Sequence, residues 1–336
     1  MTHQASRRAA PCAALAAVLA LALGGSVAAS PRRSAVVPRP SDSTGITVIQ
    51  LPGVGEAVAV GAGGVWVTVI GHPTGVYRVD PFTNQVVTTI PVDLPTGIAA
   101  GSDAVWVTDE RHDAVLRIYP RANKIIARIV VGSGPRRIVV AEGRVWVMNL
   151  LGHSISSIDP ATNRVVGEEI PVGRARAMAL VAGVLWVGHG PPPGRVQPYD
   201  PHTGQSAGDS LETDGVPVAI LGGGGSIWVA DLYGDVYRFD SASHRLVSRV
   251  SVDSTAFDAV ASRDAIFVAA ARGTRDSVSS IRPIDLRSGQ LAIDNLSPLR
   301  RLAFTELNGL AMGEGSLWVA SKGALTRIDQ ATLMKR

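Results

Sequence analysis

The tryptophans constrain this chain more than any other feature. They stand at Trp66, Trp106, Trp146, Trp186, Trp228 and Trp318, with Phe267 in the one gap. Successive spacings of 40, 40, 40, 42, 39 and 51 residues define a unit of about 40 that recurs seven times. Each copy holds the same short runs. In the second they are 97–100, 104–108, 114–118 and 124–130, β-branched or alternating and separated by turn residues. No interval leaves room for an amphipathic helix of three turns. Among 336 residues, 36 Gly and 21 Pro supply the many tight turns that such a chain needs.

Four antiparallel strands per repeat at this period predict an all-β fold, a seven-bladed β-propeller. The last copy has only three strands. The segment 45–52 resembles the fourth strand of the other copies and precedes the first, so it is expected to pair in the final blade and close the ring, leaving no open edge. The repeated Trp then fills the space between neighbouring blades. Between third and fourth strands the turns read Asp80-Pro81-Phe82-Thr83-Asn84, Asp159-Pro160-Ala161-Thr162-Asn163 and Asp200-Pro201-His202-Thr203-Gly204. Asp accepts a backbone bond, Pro presets φ, and Asn or Gly tolerates the left-handed closing position. This signature is structural.

Residues 1–29 carry Arg7 and Arg8, an apolar stretch from Ala13 to Leu23 and the small residues Val27-Ala28-Ala29, as an export signal peptide does. Residues 30–44, rich in Pro, Ser and Arg, read as a flexible linker, and 45–336 as the propeller. Loss of the signal takes the only cysteine, Cys12, and lowers the formal net charge from +4 to +2 with Arg7 and Arg8. A near-neutral chain is not expected to bind nucleic acid. A secreted or periplasmic monomer without a membrane span is expected.

The segments Ser154-Ile155-Ser156-Ser157-Ile158-Asp159-Pro160-Ala161-Thr162-Asn163, Arg164-Val165-Val166 and Ile170-Pro171-Val172-Gly173 resemble the YVTN-repeat family. Trp-Val stands where that family has Tyr-Val, and Asn149 matches its closing Asn in the third repeat. The resemblance covers 45–336 and implies an exported seven-bladed propeller. It implies little about a ligand. More distantly, Trp106-Val107-Thr108 is similar to the Trp-Phe-Thr element of virginiamycin B lyase-like propellers.

Loops from second to third strand, and from fourth strand to the next blade, should emerge on one face around the channel. Ten and nine residues before the aromatic markers lie Glu56-Ala57, Thr96-Gly97, Arg136-Arg137, Arg176-Ala177, Val218-Ala219, Phe257-Asp258 and Asn308-Gly309. Three residues after them lie Asp109, Asn149, His189 and Asp231. Arg136, Arg137 and Arg176, from adjacent blades, suggest an anion pocket at the channel mouth, with Asp109, Asn149, His189 and Asp231 as further ligand-binding candidates. Guanidinium pairs bidentately with carboxylate or phosphate. The alternatives are that these arginines pair with Asp109, Asp231, Asp258 or Glu56, and that Asp109, Asn149 and Asp231 brace their loops. No HExxH, EF-hand or cysteine pattern is present, so no metal or other cofactor is expected.

The favoured function is therefore a binding module without chemistry of its own, recognising an anionic small molecule or an acidic protein or glycan segment. The other reading is a lyase or hydrolase resembling virginiamycin B lyase. It would use a divalent cation, with His189 or His153 as base and Glu110 or Glu306 as partner. The proline loop 189–194, the loop 272–279 and the insertion 297–306 are the irregular places expected to meet partners.

Overall fold

The computed structural model describes residues 45–271, 278–292 and 302–333. The expected signal peptide and linker, and parts of the loop 272–279 and the insertion 297–306, lie outside the described residues. The described chain is a β-propeller whose short helical pieces are Glu110–His112 and Gln330–Leu333. No helix among the described residues is long and apolar enough to cross a membrane.

The strands form six hydrogen-bonded sheets, so the structure shows six blades and not the seven expected. Five sheets each serve one repeat. In the second repeat the order is Pro95–Ala100, Val105–Asp109, Ala114–Tyr119 and Lys124–Val130. The sixth sheet joins the first and last repeats in the order Gly309–Gly313, Ser316–Asp329, Ile46–Gly61, Gly64–Gly71, Gly75–Asp80 and Gln85–Pro91. The physical reason is the strand Ile46–Gly61, which stays extended through Pro52. Its first part pairs antiparallel with Ser316–Asp329, Ile46 opposite Ile328 and Gln50 opposite Ala324, and its second part pairs with Gly64–Gly71.

Side chains are organised by the repeat rather than by the sheet count. The innermost strands Ile46–Gly61, Pro95–Ala100, Pro135–Ala141, Ala175–Val181, Pro217–Gly223, Thr255–Ala261 and Gly309–Gly313 neighbour one another in turn, and the last meets the first. Buried apolar residues among the described ones gather in seven clusters, each drawing on adjacent repeats. Trp66 thus packs with Val105, Val107 and Leu116 of the second repeat, and Trp318 with Val65 and Val67 of the first. All six tryptophans are at most 2% exposed. The indole Nε1 of Trp66, Trp228 and Trp318 donates to the carbonyls of Gly61, Gly223 and Gly313, at 3.1, 3.1 and 3.2 Å.

An arginine on the third strand clasps one repeat to the next. Arg78 lies 5.0 Å from the Trp66 ring and donates through Nη1 to the Pro120 carbonyl at 2.6 Å and to Asn123 Oδ1 at 2.7 Å. Arg117 does the same over Trp106, reaching the Pro160 carbonyl at 2.6 Å and Asn163 Oδ1 at 2.8 Å. Arg327 stacks on Trp318 at 5.7 Å and reaches the Pro81 carbonyl at 2.7 Å and Asn84 at 3.2 Å, across the ring closure. The turn motif supplies these acceptors. Asn84, Asn123 and Asn163 hold φ of 57°, 54° and 56°. Asp80 Oδ1 accepts the amides of Phe82 and Thr83 at 2.8 and 2.9 Å, which fixes the loop that presents the carbonyl. Burial pulls the Arg78 guanidinium below its ordinary pKa, and Asp80 opposes that shift. Opposite Trp146, Trp186 and Phe267 stand Ser157, Pro198 and Pro283, so those three places have no arginine clasp.

Candidate functional site

Six of the seven inner strands carry a register shift against the second strand of their repeat. The shifts fall at Gly55/Ala57, Pro95/Ile98, Ala175/Ala177, Pro217/Ala219 and Ala256/Asp258, and opposite Met148/Asn149 between Pro135 and Arg137. A β-bulge leaves its extra residue out of the ladder and turns that side chain aside. The extra residues are Glu56, Thr96 with Gly97, Arg136, Arg176, Val218 and Phe257. Threonines on the second strand take up amides beside the bulges: Ala57 N donates to Thr68 Oγ1 at 3.0 Å and Gly97 N to Thr108 Oγ1 at 2.6 Å.

These side chains surround a cavity of about 550 Å³ lined from all seven inner strands. Arg136, Arg137 and Arg176 line it together. Arg136 and Arg137 come from Pro135–Ala141 and Arg176 from the neighbouring Ala175–Val181, giving one basic flank. The carboxylates in the lining, Glu56 and Asp258, come from Ile46–Gly61 and Thr255–Ala261, two places removed around the ring. Arg136 Nε lies 3.7 Å from Glu110 Oε2 and remains 43% exposed, so that contact is weak. Arg137 Nη2 donates to the Val218 carbonyl at 3.3 Å. Asp258 accepts the Leu310 amide at 3.0 Å, and Asn308 Nδ2 donates to the Gly55 carbonyl at 3.2 Å.

The other candidates do not line this cavity. Asp109 is fully buried, 2.9 Å from His112 Nδ1 and 3.1 Å from Arg128 Nη1. Asn149, also fully buried, donates to Ser154 and Ser156 Oγ at 3.1 and 2.8 Å. Asp231 accepts the amides of Gly215, Tyr233 and Asp235 at 2.8, 2.9 and 3.1 Å and the Tyr237 hydroxyl at 3.3 Å. All three brace the loop that follows the second strand. Asp231→Ala would leave three amides without their acceptor. It is expected to cost about 2–4 kcal/mol in urea unfolding and to leave anion affinity at the axial cavity unchanged.

His189 lines a second cavity of about 480 Å³, together with Pro171, Val172, Gly173, Arg174, Gly190, Pro191, Pro193, Arg195 and Tyr199. His189, expected at the channel mouth, lies instead in this cavity beside Arg195 and Tyr199, which no sequence motif singles out. The available signal was the hairpin register: Arg195 lies directly opposite His189 across the proline loop. Burial holds the His189 imidazole below its ordinary pKa of 6.5, and the Arg195 charge lowers it further. Neither cavity takes in His153, Glu110 or Glu306. Lys322 Nζ pairs with Glu306 at 2.7 Å. Among the described residues no three His, Cys, Asp or Glu side chains stand together as a metal ion would need.

No family model matches the chain, and no curated protein does. Solved structures do. The computationally designed Ika8 protein superposes with a TM-score of 0.60 at 12% identity, over 84% of this chain and 98% of that one. Kuenenia stuttgartiensis hydrazine synthase gives a TM-score of 0.58 at 17% identity, over 69% of this chain and 76% of that one. Likeness at these identities defines the class, a β-propeller, and nothing about the ligand.

Proposed function

We propose that the chain is an exported binding module of the YVTN-repeat type whose axial cavity takes a small anionic molecule. The observation that carries this reading is the meeting of Arg136, Arg137 and Arg176 on one flank of the axial cavity, two of them turned inward by bulges. Planar guanidinium groups suit a carboxylate or phosphate, and a concave site at the centre of a rigid ring fixes their spacing. The 550 Å³ of space fits a metabolite-sized ligand. An acidic protein or glycan segment would engage the same arginines from the mouth. Export rests on residues 1–29, and the seven-unit organisation rests on the seven apolar clusters.

The test is calorimetric titration with a panel of di- and tricarboxylates and phosphate monoesters. At least one member should bind, and the Arg136→Gln/Arg137→Gln/Arg176→Gln variant should weaken that binding about 100-fold or more, since each charged hydrogen bond is worth about 1.5–3 kcal/mol. Rising salt should weaken it too. Equal affinity in the variant would remove the axial anion site.

A further inference from the structure

The His189 cavity is separate from the axial one and has its own chemistry. His189 is 8% exposed, and its Nε2 is buried without a hydrogen-bond partner. His189 lines this cavity, and an unpartnered nitrogen of a neutral imidazole donates or accepts according to the tautomer. A buried polar atom without a partner is costly unless a ligand supplies one.

The rest of the lining specifies the remainder of that ligand. Arg174 and Arg195 are exposed at the cavity, and no side-chain hydrogen bond or ion pair holds either guanidinium among the described residues. Two guanidinium groups beside one unpaired ring nitrogen call for a molecule with an anionic end and a hydroxyl, which can donate or accept. Pro191, Pro193 and Tyr199 add apolar surface, against which the C–H groups of a polyol or sugar can pack. The volume of about 480 Å³ lies within the range of small-molecule sites.

We propose that this rim cavity of the fourth repeat binds a sugar acid, a polyhydroxylated carboxylate whose carboxylate is taken by Arg174 and Arg195 and one of whose hydroxyls, able to donate or accept, pairs with His189 Nε2. The site does not depend on the axial reading, because the two share no lining residue.

Gluconate and glucuronate are the probes, titrated calorimetrically and followed in long-range proton–nitrogen spectra of the histidines, with His189→Asn assigning the resonance. Saturable binding is expected, with the His189 Nε2 signal moving as that nitrogen gains a hydrogen-bond partner. Glucose, without the carboxylate, and hexanoate, without hydroxyls, should bind at least 10-fold more weakly. Arg174→Gln/Arg195→Gln, two changes at exposed positions, should weaken both sugar acids at least 10-fold, whereas the axial triple variant should bind them as the parent does. The proposal is overturned if neither sugar acid saturates, if hexanoate matches them, if the Nε2 signal stays in place, or if binding is lost in the axial variant instead.

Discussion

A chain beginning at Gly53 is expected to melt at least 10 °C below the full chain and to associate. Residues 46–50 complete the sheet that joins the last repeat to the first, and without them Ser316–Asp329 would present an unpaired edge. Ile49 and Leu51, each 7% exposed, pack in the cluster with Val67, Trp318 and Leu325. Burial of each is worth about 1.5–3 kcal/mol. Together with the lost pairing, that corresponds to about 10 °C or more in a domain of this size. In the full chain, Ile49→Asp should do much of the same by placing a carboxylate in that cluster. Circular dichroism melting with size-exclusion chromatography reads both effects. A monomer with an unchanged melt would show that the ring holds without this strand.

Arg117→Ala is expected to cost about 2–4 kcal/mol. Its guanidinium stacks on Trp106 and serves the Pro160 carbonyl, Asn163 Oδ1 and Asp103 Oδ2, the last at 3.1 Å, while its side chain is only 14% exposed. Truncation leaves the carbonyl and amide oxygen of the next repeat without a donor and uncovers the indole. Arg117→Lys should recover less than half of the loss, because one ammonium cannot reach all of these acceptors and lie flat on the ring. Urea unfolding measures the difference, with the exposed Arg121→Ala as a control expected to stay within about 0.5 kcal/mol of the parent. Equal midpoints for Arg117→Ala and Arg121→Ala would remove the clasp from the stability of the ring.

What could be read from sequence follows from which side chains repeat. The indoles recur because every inter-repeat gap has the same shape, so Trp66 to Trp318 reveal the period without any knowledge of the ring. The closing role of residues 45–52 was legible because the segment resembles Gln85–Pro91 and precedes the first repeat as the fourth strands precede theirs. The count of sheets was not. Pro52 marks a break in most readings, yet the chain stays extended through it and fuses two repeats into one sheet. The bulges were equally silent. Glu56, Arg136, Arg176, Val218 and Phe257 share no chemistry, because a bulge needs an extra backbone unit rather than a particular side chain. Counting from the aromatic markers nevertheless groups Arg136, Arg137 and Arg176, which line one cavity. For Asp109, Asn149 and Asp231 the same counting gives polar residues whose partners lie in the loops and strands of their own repeats. A buried carboxylate that accepts amides and one that awaits a ligand look alike in sequence.

The clasps are absent on both sides of the fourth repeat, where Ser157 and Pro198 stand opposite Trp146 and Trp186. A hoop fastened unevenly yields along its slack arc. Here that arc carries Arg136, Arg137 and Arg176 on its inner side and His189 on its rim. When the hoop breathes, the aperture should widen more beside the positive charges, where two unclasped gaps adjoin, than at the single unclasped gap behind Phe267.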